Sequence, residues 1–148
     1  MMRISTRGSY AMEAVMAMAL QPADHPVSIR EISERTQISD NYLEQIFTLL
    51  RKSGIILSSR GAYGGYRLAR PASQITVGEV LRATEKTISP VLCVEKPALC
   101  IKSMKCVTRN VWCKLLKAIT DTVDHIYLAD LVLAFDKGKS QENDEYSI

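Results

Sequence analysis

The chain of 148 residues has no apolar run near the 18 or so residues that a membrane span requires, so we expect no membrane insertion. Arg3 and Arg7 precede the apolar segment AMEAVMAMAL in the manner of a secretion signal, but Glu13 interrupts that segment. We therefore expect a cytoplasmic protein, whose cysteines are reduced thiols or ligands and not disulfides. Hydrophobic residues at 47% and charged residues at 24% exclude wholesale disorder.

Acidic residues are absent from residues 51–70. The formal net charge of +3 arises wholly in the first half of the chain, because residues 71–148 contain ten basic and ten acidic residues. A local basic patch of this kind suits a polyanion better than a small neutral substrate. The basic residues of the acid-free segment are Arg51, Lys52, Arg60, Arg67 and Arg70.

Two short helices with a tight link between them are predicted before this basic segment. Ser28 and Glu31 form a capping box at the start of the first helix, and Ser39 caps a second helix over about residues 40–53. Residues 55–60 and 66–69 then read as two short strands around the glycine-rich turn GAYGG. The predicted fold is mainly α with a small β-hairpin: a winged helix-turn-helix domain over residues 1–86.

The second helix of such a pair normally enters the DNA major groove. Its exposed face carries side chains that can read bases, since Asn and Gln pair with adenine and Glu accepts from cytosine. Arg60, at the tip of the hairpin, is placed to enter a minor groove, and the neighbouring glycines let the backbone approach phosphate. A merely solvated face, or a winged helix that contacts only proteins, is the alternative. The predicted DNA-binding residues are Asn41, Glu44, Gln45, Arg60, Gly61, Gly64 and Gly65.

A long C-terminal dimerisation helix is predicted over residues 107–136. As one helix from about Thr108 to Asp136 it would measure roughly 43 Å, longer than a compact domain of this size needs. A twofold mate would cover its apolar residues and match a palindromic DNA site, so we expect a homodimer. The alternative is a helix that packs on its own domain. Residues 137–148 are expected to form a disordered tail.

Cysteine is absent except in one segment of 21 residues, where the spacing is Cys93-x6-Cys100-x5-Cys106-x6-Cys113. The first three lie in a predicted irregular loop, residues 87–106, where thiolates can converge on a metal. The spacing lacks the C-x2-C pair of structural zinc sites and does not match bacterial ferredoxins. A metal or cluster site, a thiol redox switch and a structural role remain open. A thiol-dependent enzyme is disfavoured, since no cysteine has a histidine partner in a recognisable motif.

The run SIREISERTQISDNYLEQIFTLLRKSGII, followed by SSRGAYGGYRLARPASQITVGEVLRA, resembles the IscR-type regulators, bacterial winged-helix repressors that sense iron–sulfur clusters. The start MRISTRGSYAMEAV and the segment CVTRNVW are also similar to that family, so the resemblance covers about residues 2–136. It implies a cytoplasmic homodimer that binds operator DNA, with cluster-biogenesis genes as expected targets. It also implies a 2Fe-2S cluster, held by Cys93, Cys100 and Cys106. The base-reading role falls on Asn41, Glu44 and Gln45, and the wing insertion on Arg60.

The sequence departs from that family at the fourth ligand of the cluster. The resemblance implies a histidine three residues after the third cysteine, and Arg109 stands there; related sensors use an acidic residue where this chain has Ser9. Neither side chain is a good iron ligand. The candidates are Cys113, which is softest and therefore preferred, a solvent or thiol molecule, and Glu13. A cluster-free regulator that responds to thiol oxidation or a small-molecule effector is the alternative function.

Overall fold

The computed structural model describes residues 3–96, 98 and 105–145, arranged as seven α-helices, a two-stranded sheet and a short 3₁₀ helix. The mainly helical fold with one small hairpin agrees with the predicted fold class. None of the helices in this described part has the length and hydropathy of a membrane span. The elements are, in chain order, α1 Thr6–Ala19, α2 Ile29–Thr36, α3 Asp40–Lys52, β1 Ile56–Ser59, β2 Gly65–Leu68, the 3₁₀ helix Ala72–Gln74, α4 Val77–Thr84, α5 Leu92–Glu95, α6 Arg109–Val123 and α7 Leu128–Glu145.

The hydrophobic core lies around α1, which contacts α2, α3, α4 and α7. This central position explains why α1 carries apolar residues on nearly every side. The apolar face of α3 completes the core from the other side, and its four side chains are at most 1% exposed. These are Leu43, Ile46, Phe47 and Leu50.

The helix starts follow the capping signals in the sequence. Ser28 and Glu31 form the predicted capping box of α2, and the Ser39 hydroxyl accepts from the Tyr42 N–H at the start of α3. Between these helices, Gln37 adopts a left-handed conformation with φ of 61°. The Ser33 hydroxyl donates to the Ile38 carbonyl over 2.6 Å and so fixes the turn. These bonds set the angle at which α3 leaves α2.

The wing is the antiparallel hairpin of β1 and β2, with Ile56 opposite Leu68 and Ser59 opposite Gly65. Val27 extends the sheet by one residue, because it exchanges backbone hydrogen bonds of 2.7 and 2.8 Å with Tyr66. The Tyr66 ring also packs edge-on against Phe47 of α3, with ring centroids 4.8 Å apart. The wing and α3 are therefore held in one unit.

The prediction of one continuous C-terminal helix is wrong. α6 ends at Val123 and α7 begins at Leu128, because the intervening backbone pairs with the segment before α4. The Ile126 carbonyl accepts from Val77, and the Leu128 N–H donates to Ile75, both over 2.9 Å. Leu128 is fully buried in the same core as α1 and α3. For α7 the alternative prediction is therefore correct, namely that the helix packs on its own domain. The core thus extends beyond residue 86, the predicted end of the winged helix-turn-helix domain.

Two further predictions are wrong, one for the loop of residues 87–106 and one for the tail of residues 137–148. α5 forms a short helix inside the predicted irregular loop of residues 87–106. The predicted disorder after residue 136 is wrong up to Glu145, because α7 continues that far. Extending a helix that the core already anchors needs no new nucleation, and Lys139 lies over the Phe135 ring at 4.5 Å.

Candidate DNA-binding surface and cysteine site

The predicted base-reading side chains share the solvent face of α3. Asn41, Glu44 and Gln45 are all exposed, while the opposite face of the helix is buried in the core. The Glu44 backbone carbonyl accepts from the Thr48 hydroxyl over 2.8 Å, so this hydroxyl is used within the helix. A rigid helix that presents amide and carboxylate groups outward can hydrogen-bond base edges in a major groove. Their contact with bases stays a prediction.

Arg60 and Gly61 stand exposed at the tip of the wing. Gly61 has φ of 108°, which other residues rarely adopt. A Cβ on Gly64 would overlap the Ser59 carbonyl, and one on Gly65 would overlap the Val27 carbonyl. These two half-buried glycines therefore allow close backbone packing at the wing, a role not predicted from the sequence.

Four basic side chains of α3 and the wing form no ion pair within the described part of the chain. Among the described residues, none of the ion pairs involves Arg51, Lys52, Arg60 or Arg67, and all four are exposed. Unpaired surface cations are available to neutralise phosphates. Tyr63, 95% exposed in the turn that follows Arg60, was missed from the sequence as a candidate contact, although an aromatic residue in a glycine-rich turn was the available signal.

The cysteines among the described residues lie in α5, in α6 and shortly before α6. Cys93 lies in α5, Cys106 directly precedes the turn into α6, and Cys113 lies within α6; all three are partly buried. The Cys106 sulfur is 3.1 Å from the Thr108 hydroxyl oxygen. Cys100, the remaining predicted ligand, lies outside the described residues. Within those residues, no three His, Cys, Asp or Glu side chains form a metal-binding group.

The positions considered for a fourth ligand differ in their surroundings. Ser9 and Glu13 are exposed on α1. Arg109 and Cys113 lie four residues apart on α6 and are both partly buried, so they share one face of that helix. The Arg109 Nε atom is buried and has no hydrogen-bond partner among the described residues. This unpaired donor, on the helix that also carries Cys113, was not predicted from the sequence.

Helix α4 connects the wing side of the molecule to the α6–α7 junction through two ion pairs. Arg70, just after β2, contacts Glu79 at 2.6 Å. Burial raises the pKa of Glu79, but the Thr76 backbone N–H and Arg70 together lower it below its ordinary value. Arg82 donates to both carboxylate oxygens of Asp124, over 2.6 and 2.9 Å. The hydrogen bond from Arg82 is the main reason that the pKa of Asp124 lies below its ordinary value.

The fold and the exposed face of α3 beside a basic wing define the class: a winged helix-turn-helix DNA-binding protein. A sequence profile of the Rrf2 family, described as iron-dependent transcriptional regulators, matches residues 4–134. The chain belongs to the Rrf2 family of transcriptional regulators.

Relatives and solved structures agree with this assignment. The chain is 39% identical over 131 residues to the protein rrf2 of Nitratidesulfovibrio vulgaris, which covers 88% of this chain and 87% of that relative. The structure of T. potens IscR is similar with a TM-score of 0.75 and 35% identity, over 92% of this chain and 90% of the other. CymR, the global cysteine regulator of B. subtilis, gives a TM-score of 0.73 and 34% identity, over 88% and 96%. These similar proteins are regulators and not enzymes.

Proposed function

We propose that this regulator is a cytoplasmic homodimer that binds operator DNA and senses iron–sulfur cluster or redox status through a 2Fe-2S cluster. The proposed ligands are Cys93, Cys100 and Cys106, with Cys113 as the fourth. Its expected targets are genes of iron–sulfur cluster biogenesis. The observation that carries this proposal is the segment of four cysteines in a chain 35% identical to T. potens IscR, with Cys93 in α5 and Cys113 in α6.

The DNA-binding part of the proposal rests on two neighbouring surfaces. α3 presents Asn41, Glu44 and Gln45 outward, and the wing presents Arg60 beside it. The amide and carboxylate groups would read base edges in the major groove, whereas Arg60 would enter the adjacent minor groove. The unpaired basic side chains around them would bind phosphates and supply most of the affinity.

The donor set fits a cluster. Thiolates are the soft ligands that iron and sulfide prefer, and Cys93 and Cys113 are free thiols. α5 packs against α6, so the helix that carries Cys93 contacts the helix that carries Cys113. When bound, such a cluster would supply a one-electron redox centre that is also sensitive to iron and sulfide supply. The cysteines of the chain would hold it at the start of α6.

The homodimer rests on α6, which has no buried residue in the protomer. Its apolar side chains Val111 and Leu115 are 56% and 36% exposed, and Val107 before the helix is 81% exposed. These three residues follow one another at intervals of four and therefore form one stripe. A second copy of the chain related by a twofold axis would cover this stripe and match a palindromic operator.

The experiment that tests the sensor is the analysis of anaerobically purified protein for iron, acid-labile sulfide and visible absorption. We expect equal amounts of iron and sulfide and a charge-transfer spectrum, both lost in the serine variants of Cys93, Cys100 and Cys106. A shifted spectrum in Cys113→Ser would support Cys113 as a ligand, and an unchanged one would make it a packing residue. Stoichiometric zinc without iron or sulfide would contradict the cluster.

The second candidate is a cluster-free regulator that responds to thiol oxidation or a small-molecule effector. The observation that favours it is the 34% identity to CymR, a global cysteine regulator. Cys93 and Cys113 are free, partly buried thiols, which a thiol oxidant could modify. Iron-free protein whose operator affinity changes with a thiol oxidant, and is restored by a thiol reductant, would favour this candidate.

A further inference from the structure

The Arg109 side chain contains a buried N–H donor, which is unusual for a long charged residue. Arg109 begins α6, its side chain is partly exposed, and yet its Nε atom is buried without a hydrogen-bond partner in the part of the chain that the structure describes. A buried N–H that gives up water normally gains an acceptor, because an unsatisfied one is costly. The unpaired Nε therefore indicates that an acceptor outside the described protein atoms belongs beside it.

The surroundings of Arg109 specify what this acceptor would be. The Arg109 backbone N–H donates to the Cys106 carbonyl over 3.3 Å, so the residue lies one turn from that cysteine. Cys113 follows one helical turn further, on the same face of α6, and α5 with Cys93 packs against this helix. Sulfur-bearing residues thus lie on both sides of the guanidinium along the chain.

We propose that Arg109 donates its Nε–H to a sulfur of the bound cluster or of its cysteine ligands, as a positioning residue and not as an iron ligand. The inference rests on the proposed function, because it requires the cluster. A guanidinium has no lone pair to give to iron. A cluster held by thiolates is anionic, so a buried cationic donor both pairs with it and orients it.

This role predicts a change in the redox properties of the cluster. In a bound 2Fe-2S cluster, one electron from a reductant such as dithionite would reduce one ferric iron to ferrous and add a negative charge, with no bond to a ligand formed or broken. A hydrogen bond from a cation favours this reduced form, and hydrogen bonds to sulfur are a recognised control of the reduction potential. Arg109 should therefore keep the potential more positive than it would otherwise be.

The test compares Arg109→Met, Arg109→Lys and a control, Lys114→Met, in full-length protein reconstituted anaerobically with iron and sulfide. Lys114 is an exposed cation of α6, so the control removes the same charge from a side chain that lies at the surface. The readouts are bound iron and sulfide, the reduction potential in dithionite titrations, and the shift of the Fe–S stretching frequencies in D2O. We expect a more negative potential and a reduced deuterium shift in Arg109→Met, smaller changes in Arg109→Lys, and neither in Lys114→Met.

The outcomes separate this inference from the function on which it rests. Wild-type protein that takes up no iron and sulfide would overturn both. A wild-type cluster whose potential and deuterium shift are unchanged in Arg109→Met would overturn the role of Arg109 alone. Arg109→Met could fold, as judged by circular dichroism, and yet hold no cluster. In that case Arg109→Lys tests the donor role of Arg109. A deuterium-sensitive cluster in Arg109→Lys then supports the donor, and an empty one overturns it.

Discussion

Two regions differ in how their apolar residues are covered: the proposed DNA-reading region, α3 with the wing, and the cysteine-bearing region, α5 with α6. In α3, four side chains at most 1% exposed pack into one core with α1 and the wing. In α6, a helix of 15 residues, none is buried. A helix that buries nothing gains little stability from its own protomer. The apolar face of α3 is thus covered within one chain, whereas the apolar side chains of α6 are not.

Helix α4 lies between these two regions and contacts both. It packs against α1 and α3, and Arg82 on its surface holds Asp124 where α6 passes into α7. A Cβ on Gly78 would overlap the Asp124 carboxylate, so glycine at that position lets the ion pair approach the helix. A displacement of α6 that begins at the cysteines therefore has a physical route to α3 through α4.

The largest effect is expected from a truncation in the DNA-reading region. Phe47→Ala should lower the free energy of unfolding by about 3–5 kcal/mol, because it removes a fully buried ring that packs on Tyr66. Urea denaturation followed by circular dichroism measures this loss. Leu115→Ala is the matched truncation in α6 and should cost under about 1 kcal/mol at protein concentrations too low for association. Equal losses of unfolding free energy in the two variants would contradict the proposed difference between α3 and α6.

A charged substitution on α6 should disrupt the proposed dimer and leave the fold of the chain intact. Leu115→Glu places a carboxylate in the stripe that we propose to form the dimer interface, and burying that charge without a partner is unfavourable. We expect monomers that keep the wild-type circular dichroism spectrum, as measured by light scattering at micromolar concentration. Lys114→Glu, one residue away on an exposed position, should remain dimeric. Monomeric wild-type protein under the same conditions would contradict the interface.

Local signals in the sequence predict some parts of this structure, whereas contacts between segments distant in sequence determine others. The capping box at Ser28, the cap at Ser39 and the exposed face of α3 follow from local signals, and the structure confirms them. The end of α6 could not be predicted in this way, because apolar residues continue at intervals of seven through Ile119, Ile126 and Leu133. Only the pairing of Ile126 and Leu128 with residues 75–77, distant in sequence, interrupts the helix.

The candidate site was predictable to a similar degree. The exposure of Asn41, Glu44 and Gln45 follows from the helical period of α3, since they alternate with buried positions. The buried Arg109 Nε does not, because burial of one atom in a long side chain depends on how α5 and α6 meet. Composition alone suggests a solvated cation at that position.

Single substitutions on the DNA-reading surface should produce intermediate effects. Gln45→Ala should weaken operator binding by about 1–3 kcal/mol and relax selectivity at one base position, because one amide pairs with one base edge. Arg60→Ala should reduce affinity clearly through the loss of its groove contact. Fluorescence anisotropy on operator and on random duplexes at matched salt measures both. Equal losses of Gln45→Ala on the two duplexes would contradict base reading.

The smallest effect is expected at the ion pair that joins the two regions. Asp124→Asn should cost about 0.5–1 kcal/mol of unfolding free energy at pH 7, because the pair is bidentate but about a third exposed and screened by solvent. Since Arg82 lowers the pKa of Asp124 in the folded state, this contribution is present above the ordinary carboxyl pKa and is lost as the pH falls through the lowered value. The difference between wild type and Asp124→Asn should thus be constant from neutral pH down to about pH 5 and shrink below about pH 4. Asp121→Asn, which removes a more exposed pair with Lys117 on α6, is the control and should change stability less. A cost for Asp124→Asn that does not vary with pH would mean that packing, and not the charge pair, joins α6 to α4.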